Sequence, residues 1–416
     1  MISERTLSNG VRVVMEQMPG LSSVSVGVWV KTGAVDEEKR SAGISHFVEH
    51  MMFKGTHKRD ARAISTDMER IGAQMNAFTG KEATCYYAKS TSDHVLEAAE
   101  VICDMLEDSL FQKEELDRER RVVLEELKMG EDTPEDVAHD NLVDMLFAGT
   151  PLANSVIGSR TALARITHPV MRDYVERMYA RNAFVVSVAG NFDPDEICSF
   201  FEGRFQSRRA ERPDRGHFQA PYQPALRAAT REIQQCHICM GTKCVTLQDD
   251  RSYVFQILSG LLGGGMSSRF FQHLREQMGL CYTVYSSLGT FADDGYFEIY
   301  AAVSPENTGK TLQAVREELK TLAEGEILQE ELDSAREQLK AGYVFSQEST
   351  SSRMVANGRN ALLLGKVFRP EEVVAGYDAV TLDDLAEAKE MICDFDQYSV
   401  SVVSGRRTDL RRLTGR

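Results

Sequence analysis

The chain has 416 residues, too many for one core of ordinary size, so two to three domains are expected. Hydrophobic residues at 42% and charged residues at 27% give an ordinary globular balance and exclude a disordered or fibrous chain. A net charge of −15 excludes a non-specific nucleic-acid binder, which needs a basic surface to displace counterions, and no stretch approaches the ~20 apolar residues of a membrane span.

The N-terminal stretch MISERTLSNGVRVVMEQ reads as a strand, a Ser8-Asn9-Gly10 turn and a second strand. It has no basic segment followed by an apolar one, so no secretory signal is expected and a cytoplasmic location is the default expectation. Val24, Val26, Val28 and Val30 fall two apart, the spacing of a half-buried strand. Amphipathic helices follow, such as DHVLEAAEVICDMLED, and then another strand, AFVVSVAGN. A stretch rich in Arg, Pro and Gln without periodicity reads as a linker, residues 208–228, between an N-terminal domain, 1–207, and a C-terminal domain, 229–416.

The second half echoes the first. EELDRERRVVLEEL from Glu114 is matched by EELDSAREQLKAGY from Glu330, and NAFTGKEATCYYAKS from Asn76 by GTFADDGYFEIYAAV from Gly289. Offsets near half the chain length predict two copies of one domain rather than a solenoid, whose repeats are shorter. The fold class expected is α+β: two homologous domains, each a mainly antiparallel sheet with helices packed on it. The eight cysteines are scattered and expected to be reduced. Cys236 and Cys239 in QQCHICMGTKC fall on a predicted strand, where residues three apart point to opposite faces, which argues against a zinc knuckle.

The segment GISHFVEHMMFKGT carries His46, Glu49 and His50. On a helix the two histidines lie one turn apart, with Cβ atoms ~6 Å apart, close enough to share a metal ion. Glu49 projects to the same side, where a carboxylate accepts a proton from water acidified by the metal. In DRERRVVLEELKMG, Glu119 and Glu126 are two helical turns apart and share a face. Glu126 reads as the third metal ligand and Glu119 as its supporting neighbour, with Val122 and Val123 marking an adjoining apolar face. His57, His94, His139, His168, His217, His237 and His273 read as ordinary surface or core residues.

These residues resemble the pitrilysin-type metallopeptidases, in particular the half-length branch that includes the mitochondrial processing peptidase β subunit and bacterial homologues. The most specific part is His46-Phe-Val-Glu49-His50 followed by Glu126, 76 residues beyond the second histidine, and the likeness spans essentially the whole chain. The resemblance implies a zinc endopeptidase with one Zn²⁺ per chain, Glu49 as general base and Glu119 supporting the site. It also implies that MNAFTGKEATCYY is an edge strand on which a substrate peptide pairs, with Asn76 and Ala77 touching it near the cut. LREQMGLCYTVYS resembles the family's Arg/Tyr motif, so Arg275 and Tyr282 are expected to hold substrate and stabilise the oxyanion. Gly263 to Gly265 resemble a mobile loop.

The second copy has lost the metal chemistry, since Ala335 and Gly342 stand where Glu119 and Glu126 stand in the first. Peptide substrates and a homodimer enclosing a chamber are the partners expected, with neither nucleic acid nor membrane. The alternative is a non-catalytic scaffold subunit of the same family.

Overall fold

Eleven strands build two sheets in the computed structural model, which describes residues 2–218 and 221–416. β1 (Ile2–Thr6), β2 (Arg12–Gln17), β3 (Ser23–Val30), β4 (Gln74–Thr79), β5 (Thr84–Thr91) and β6 (Phe184–Gly190) form the first, in the order β1-β2-β6-β3-β5-β4. β7 (Leu226–Thr230), β8 (Cys236–Lys243), β9 (Cys281–Thr290), β10 (Gly295–Val303) and β11 (Ser399–Ser404) form the second, in the order β7-β11-β8-β10-β9. Among the described residues only β2/β6 and β7/β11 pair in parallel. With β1 set aside, each sheet runs first-fifth-second-fourth-third, so the repeat heard in the sequence is a repeat of topology. The α+β class and the mainly antiparallel sheets are as expected.

The first five α-helices are α1 (Ile44–Met52), α2 (Ala61–Arg70), α3 (Val95–Asp108), α4 (Lys113–Asp132) and α5 (Pro134–Leu146). Of these, α1, α2 and α3 pack with the first sheet and α4 adds Leu116 and Val123 to its core; α5 does not pack there. It lies on β8 and β11 of the second sheet, while the Thr350–Leu364 helix from the second half lies on β2, β3 and β6 of the first. The chain accordingly forms two compact units that exchange segments. One holds the residues up to 127, 154–216 and 345–369; the other holds 128–153, the described part of 217–344, and 370–416.

This exchange changes the environment of β3. Val24, Val26, Val28 and Val30 face the main core of the first unit, as their alternation predicts. The opposite face is covered too: Trp29 packs with Met354, Ala361 and Leu362. Every β3 residue from Val24 to Val30 is therefore buried, where a half-buried strand was expected. Glycines make the close approach possible. A Cβ on Gly27 would meet Met354 Sδ at 2.3 Å, and one on Gly358 would meet Trp29 Nε1 at 2.1 Å.

The expected linker, 208–228, includes residues 219 and 220, which lie outside the described residues. Its described part holds no helix or strand before β7 begins at Leu226. Arg212 pairs with Asp36 at 2.5 Å and Arg215 with Glu82 at 3.0 Å, which fastens the early linker to the first unit. All eight cysteines are free and buried. Among the described residues no helix is long and apolar enough to cross a membrane.

Candidate metal centre

Helix α1 is anchored before it begins. Glu37 accepts hydrogen bonds from the backbone N–H of Gly43 (2.6 Å) and of Ser45 (2.8 Å), two of the donors a helix N-terminus leaves unsatisfied. Gly43 sits at φ +92°, and a Cβ there would meet the Ile157 carbonyl oxygen at 2.4 Å, so glycine is required. Along α1, Phe47, Val48, Met51 and Met52 sink into the core, which leaves His46, Glu49 and His50 half-buried on the other side.

Helix α4 brings its carboxylates to that side. Leu116 and Val123 enter the core, and the Arg120 guanidinium lies over the Phe47 ring at 5.6 Å while donating to the Ile166 carbonyl at 2.8 Å. Val123 alone forms the apolar border expected of the pair, because Val122 is 43% exposed. A 20-residue helix turns neighbouring residues 100° apart, so adjacent valines do not share a face.

The result is a cage. One ligand atom each from His46, His50 and Glu126 lies within 4.8 Å of the other two. Glu126 Oε2 is 3.8 Å from His46 Nε2 and 3.4 Å from His50 Nε2. The Glu119 carboxylate is buried; it lies 3.2 Å from His50 Nδ1 and 2.7 Å from Lys54 Nζ. Glu49 accepts a hydrogen bond from Thr79 Oγ1 at the end of β4 (2.5 Å). Burial, and then the neighbouring His50, bring the His46 pKa down to about 4, so its imidazole is neutral with a lone pair to offer. Burial raises the Glu49 carboxyl above its ordinary value, against the pull of Thr79. Two imidazoles and a carboxylate are a donor set suited to zinc in a hydrolase, which leaves one position open. The residues fit the metal.

Two family models match the chain: Insulinase (Peptidase family M16) over residues 12–160, and the Peptidase M16 inactive domain over residues 165–339. An uncharacterized zinc protease of Bacillus subtilis is 38% identical over 404 residues, 97% of this chain and 98% of that one. The chain belongs to the M16 peptidase family. An uncharacterized zinc protease of Streptomyces coelicolor is 35% identical over 94% of this chain and 87% of that one. The same fold occurs in solved structures. A Pseudomonas fluorescens chain described as a peptidase M16 inactive domain has a TM-score of 0.90 at 17% identity, covering 98% of this chain and 99% of that one. A protease from Helicobacter pylori has a TM-score of 0.87 at 21% identity, covering 97% and 99%.

In this M16 chain β4 closes one end of the first sheet and, among the described residues, pairs only with β5. Asn76 is exposed and accepts from the Ala77 N–H through its side chain at 2.8 Å, while Ala77 is half-buried. In the second unit the Arg275 guanidinium lies over the Tyr282 ring at 4.7 Å, and Tyr282 is 76% exposed. Gly263 ends a helix begun at Ser252, and Met266 just beyond is 75% exposed. Lys54 and Thr79 were not singled out in the sequence. Thr79 lay within the quoted edge-strand motif, whereas nothing in the spacing of Lys54 pointed to its Glu119 contact.

Proposed function

We propose that this chain is a zinc-dependent endopeptidase acting on unfolded peptides or precursor segments. The observation that carries the reading is the convergence of His46, His50 and Glu126 with Glu49 beside them, in a chain of the M16 family. His46, His50 and Glu126 would hold one zinc ion, which when bound supplies Lewis acidity that acidifies water and polarises a carbonyl oxygen. Glu49 takes the proton of the attacking water on its carboxylate and passes it to the leaving amine. Its hydrogen bond from Thr79 fixes which oxygen is free for that transfer. Glu119 orients His50 through Nδ1 and is itself held by Lys54.

A substrate peptide adds as a further strand on the free edge of β4, with Asn76 and Ala77 near the cut. Main-chain pairing gives affinity for any extended backbone, with little demand on sequence. Arg275 and Tyr282 serve as donors that hold substrate and stabilise the oxyanion. The active assembly is a homodimer enclosing a chamber; a monomeric mass in sedimentation with full activity would refute that part.

The test compares the wild-type chain with Glu49→Gln. Zinc in both with peptide cleavage only in the wild type supports the assignment of Glu49 as base. Zinc in both with cleavage in neither favours a non-catalytic scaffold subunit, and absence of zinc from both removes the reading.

A further inference from the structure

The second unit gathers under α5 a group of side chains that the peptidase chemistry does not use. β8 sends Cys236, Ile238 and Met240 into the core of its unit. Its other face meets α5, where a Cβ on Gly241 would touch Leu142 Cδ2 at 2.9 Å. Cys239 is on that face, and on β10 Glu298 stands opposite Gly241. His139 comes down from α5, with Nδ1 2.6 Å from Glu298 Oε1. One ligand atom each from His139, Cys239 and Glu298 lies within 4.8 Å of the other two.

We propose that His139, Cys239 and Glu298 form a second metal site, taking a dication of the zinc class and clipping α5 to the second sheet. The donor types select the metal, because thiolate with imidazole favours zinc or cobalt over magnesium or calcium. Charge supports it: a thiolate and a carboxylate, both buried, neutralise a dication in a place where net charge is costly. The second ring nitrogen of His139 is also occupied as a ligating imidazole requires. Nε2 lies 3.1 Å from Tyr285 Oη and 3.9 Å from Glu135, partners that fix the ring's orientation.

The first sheet demonstrates that packing does not demand this trio. Gly27 meets Met354 of its covering helix as Gly241 meets Leu142. Two residues earlier on the strand, Ser25 stands where Cys239 stands. Three residues before Met354, Ser351 stands where His139 stands, and Tyr87 lies opposite Gly27 where Glu298 lies opposite Gly241. There the contact is between hydroxyls: Ser25 Oγ is 2.9 Å from Thr350 Oγ1 and 3.0 Å from Ser351 Oγ. One position of the fold thus holds two serines and a tyrosine in one unit and three metal-ligand side chains in the other. In the structure Glu298 lies against both partners: it is hydrogen-bonded to His139 Nδ1, and with burial as the larger cause it raises the Cys239 thiol above its ordinary value.

Metal content of the full chain tests the site independently of the peptidase reading. About two dications per chain are expected in the wild type, and about one in each of His50→Ala, Cys239→Ser and Glu298→Gln. His50→Ala loaded with cobalt should show thiolate-to-cobalt charge-transfer absorption in the near ultraviolet, and adding Cys239→Ser should abolish it. His50→Ala keeps all three residues, so this readout stands even where the other variants fail to fold. No metal and no such band in His50→Ala would overturn the proposal and leave a His139–Glu298 hydrogen bond. An undiminished metal count in Cys239→Ser would overturn it as well.

Discussion

Thr79 and Lys54 touch no reacting atom in the proposed chemistry, yet each fixes one that does. Thr79 donates to Glu49 Oε2 from the end of the strand that would receive substrate, so base and substrate are aligned through one residue. Thr79→Val should lower kcat about tenfold with KM little changed, and Thr79→Ser should restore it. Loss of KM alone would assign Thr79 to substrate binding instead. Lys54 holds Glu119, whose other oxygen meets His50. Lys54→Ala should weaken zinc affinity about 10-fold in competition with a chelator, and Lys54→Arg should weaken it less. The His-x-x-Glu-His spacing made the cage legible because helical periodicity alone puts those residues on one face. Lys54 was not legible, since its partner is 65 residues away and the contact arises only when α4 docks against α1.

At the scale of elements, both covering helices rest on glycine. Gly358→Ala would drive a methyl group into the Trp29 ring, so the first unit should lose about 1–3 kcal/mol, read as a lower urea midpoint. The start of α1 depends on a buried carboxyl. Burial raises the Glu37 pKa to about 7, against the pull of the Gly43 and Ser45 N–H groups. A carboxyl raised in the folded state contributes stability that is full below its ordinary pKa and is lost as pH climbs through about 7. Glu37→Ala should therefore cost more at pH 5 than at pH 8, with a loss of about 1–3 kcal/mol at pH 5 from two deprived N–H donors. An equal loss at both pH values in paired urea titrations would contradict the raised pKa.

For the whole molecule, the exchange of helices means that each sheet has one face covered by a helix from the other half. Residues 1–207 alone lack the Thr350–Leu364 helix and expose Trp29, Val185 and Ala189. That fragment should aggregate or bind a hydrophobic dye when expressed alone, and co-expression with 208–416 should restore a soluble complex. A soluble, cooperatively folding 1–207 fragment would show that the helix is dispensable. A cut at the segment expected from sequence as the linker thus separates the repeats while breaking both compact units.

The sequence by itself determined the repeat, the α+β class and the placing of His46, Glu49 and His50 on one side of a helix. Each is written in local periodicity or in two stretches related by one offset, and neither needs knowledge of what packs on what. Tertiary structure decided the rest. β3 carries an alternating pattern, but whether its second face meets water or Met354 depends on a helix more than 300 residues away. His139 and Cys239, ordinary in the sequence, become neighbours of Glu298 because α5 crosses to the second sheet. Periodicity encodes which face of an element is apolar; the identity of the element that covers it is fixed only when burial of all the faces is satisfied together.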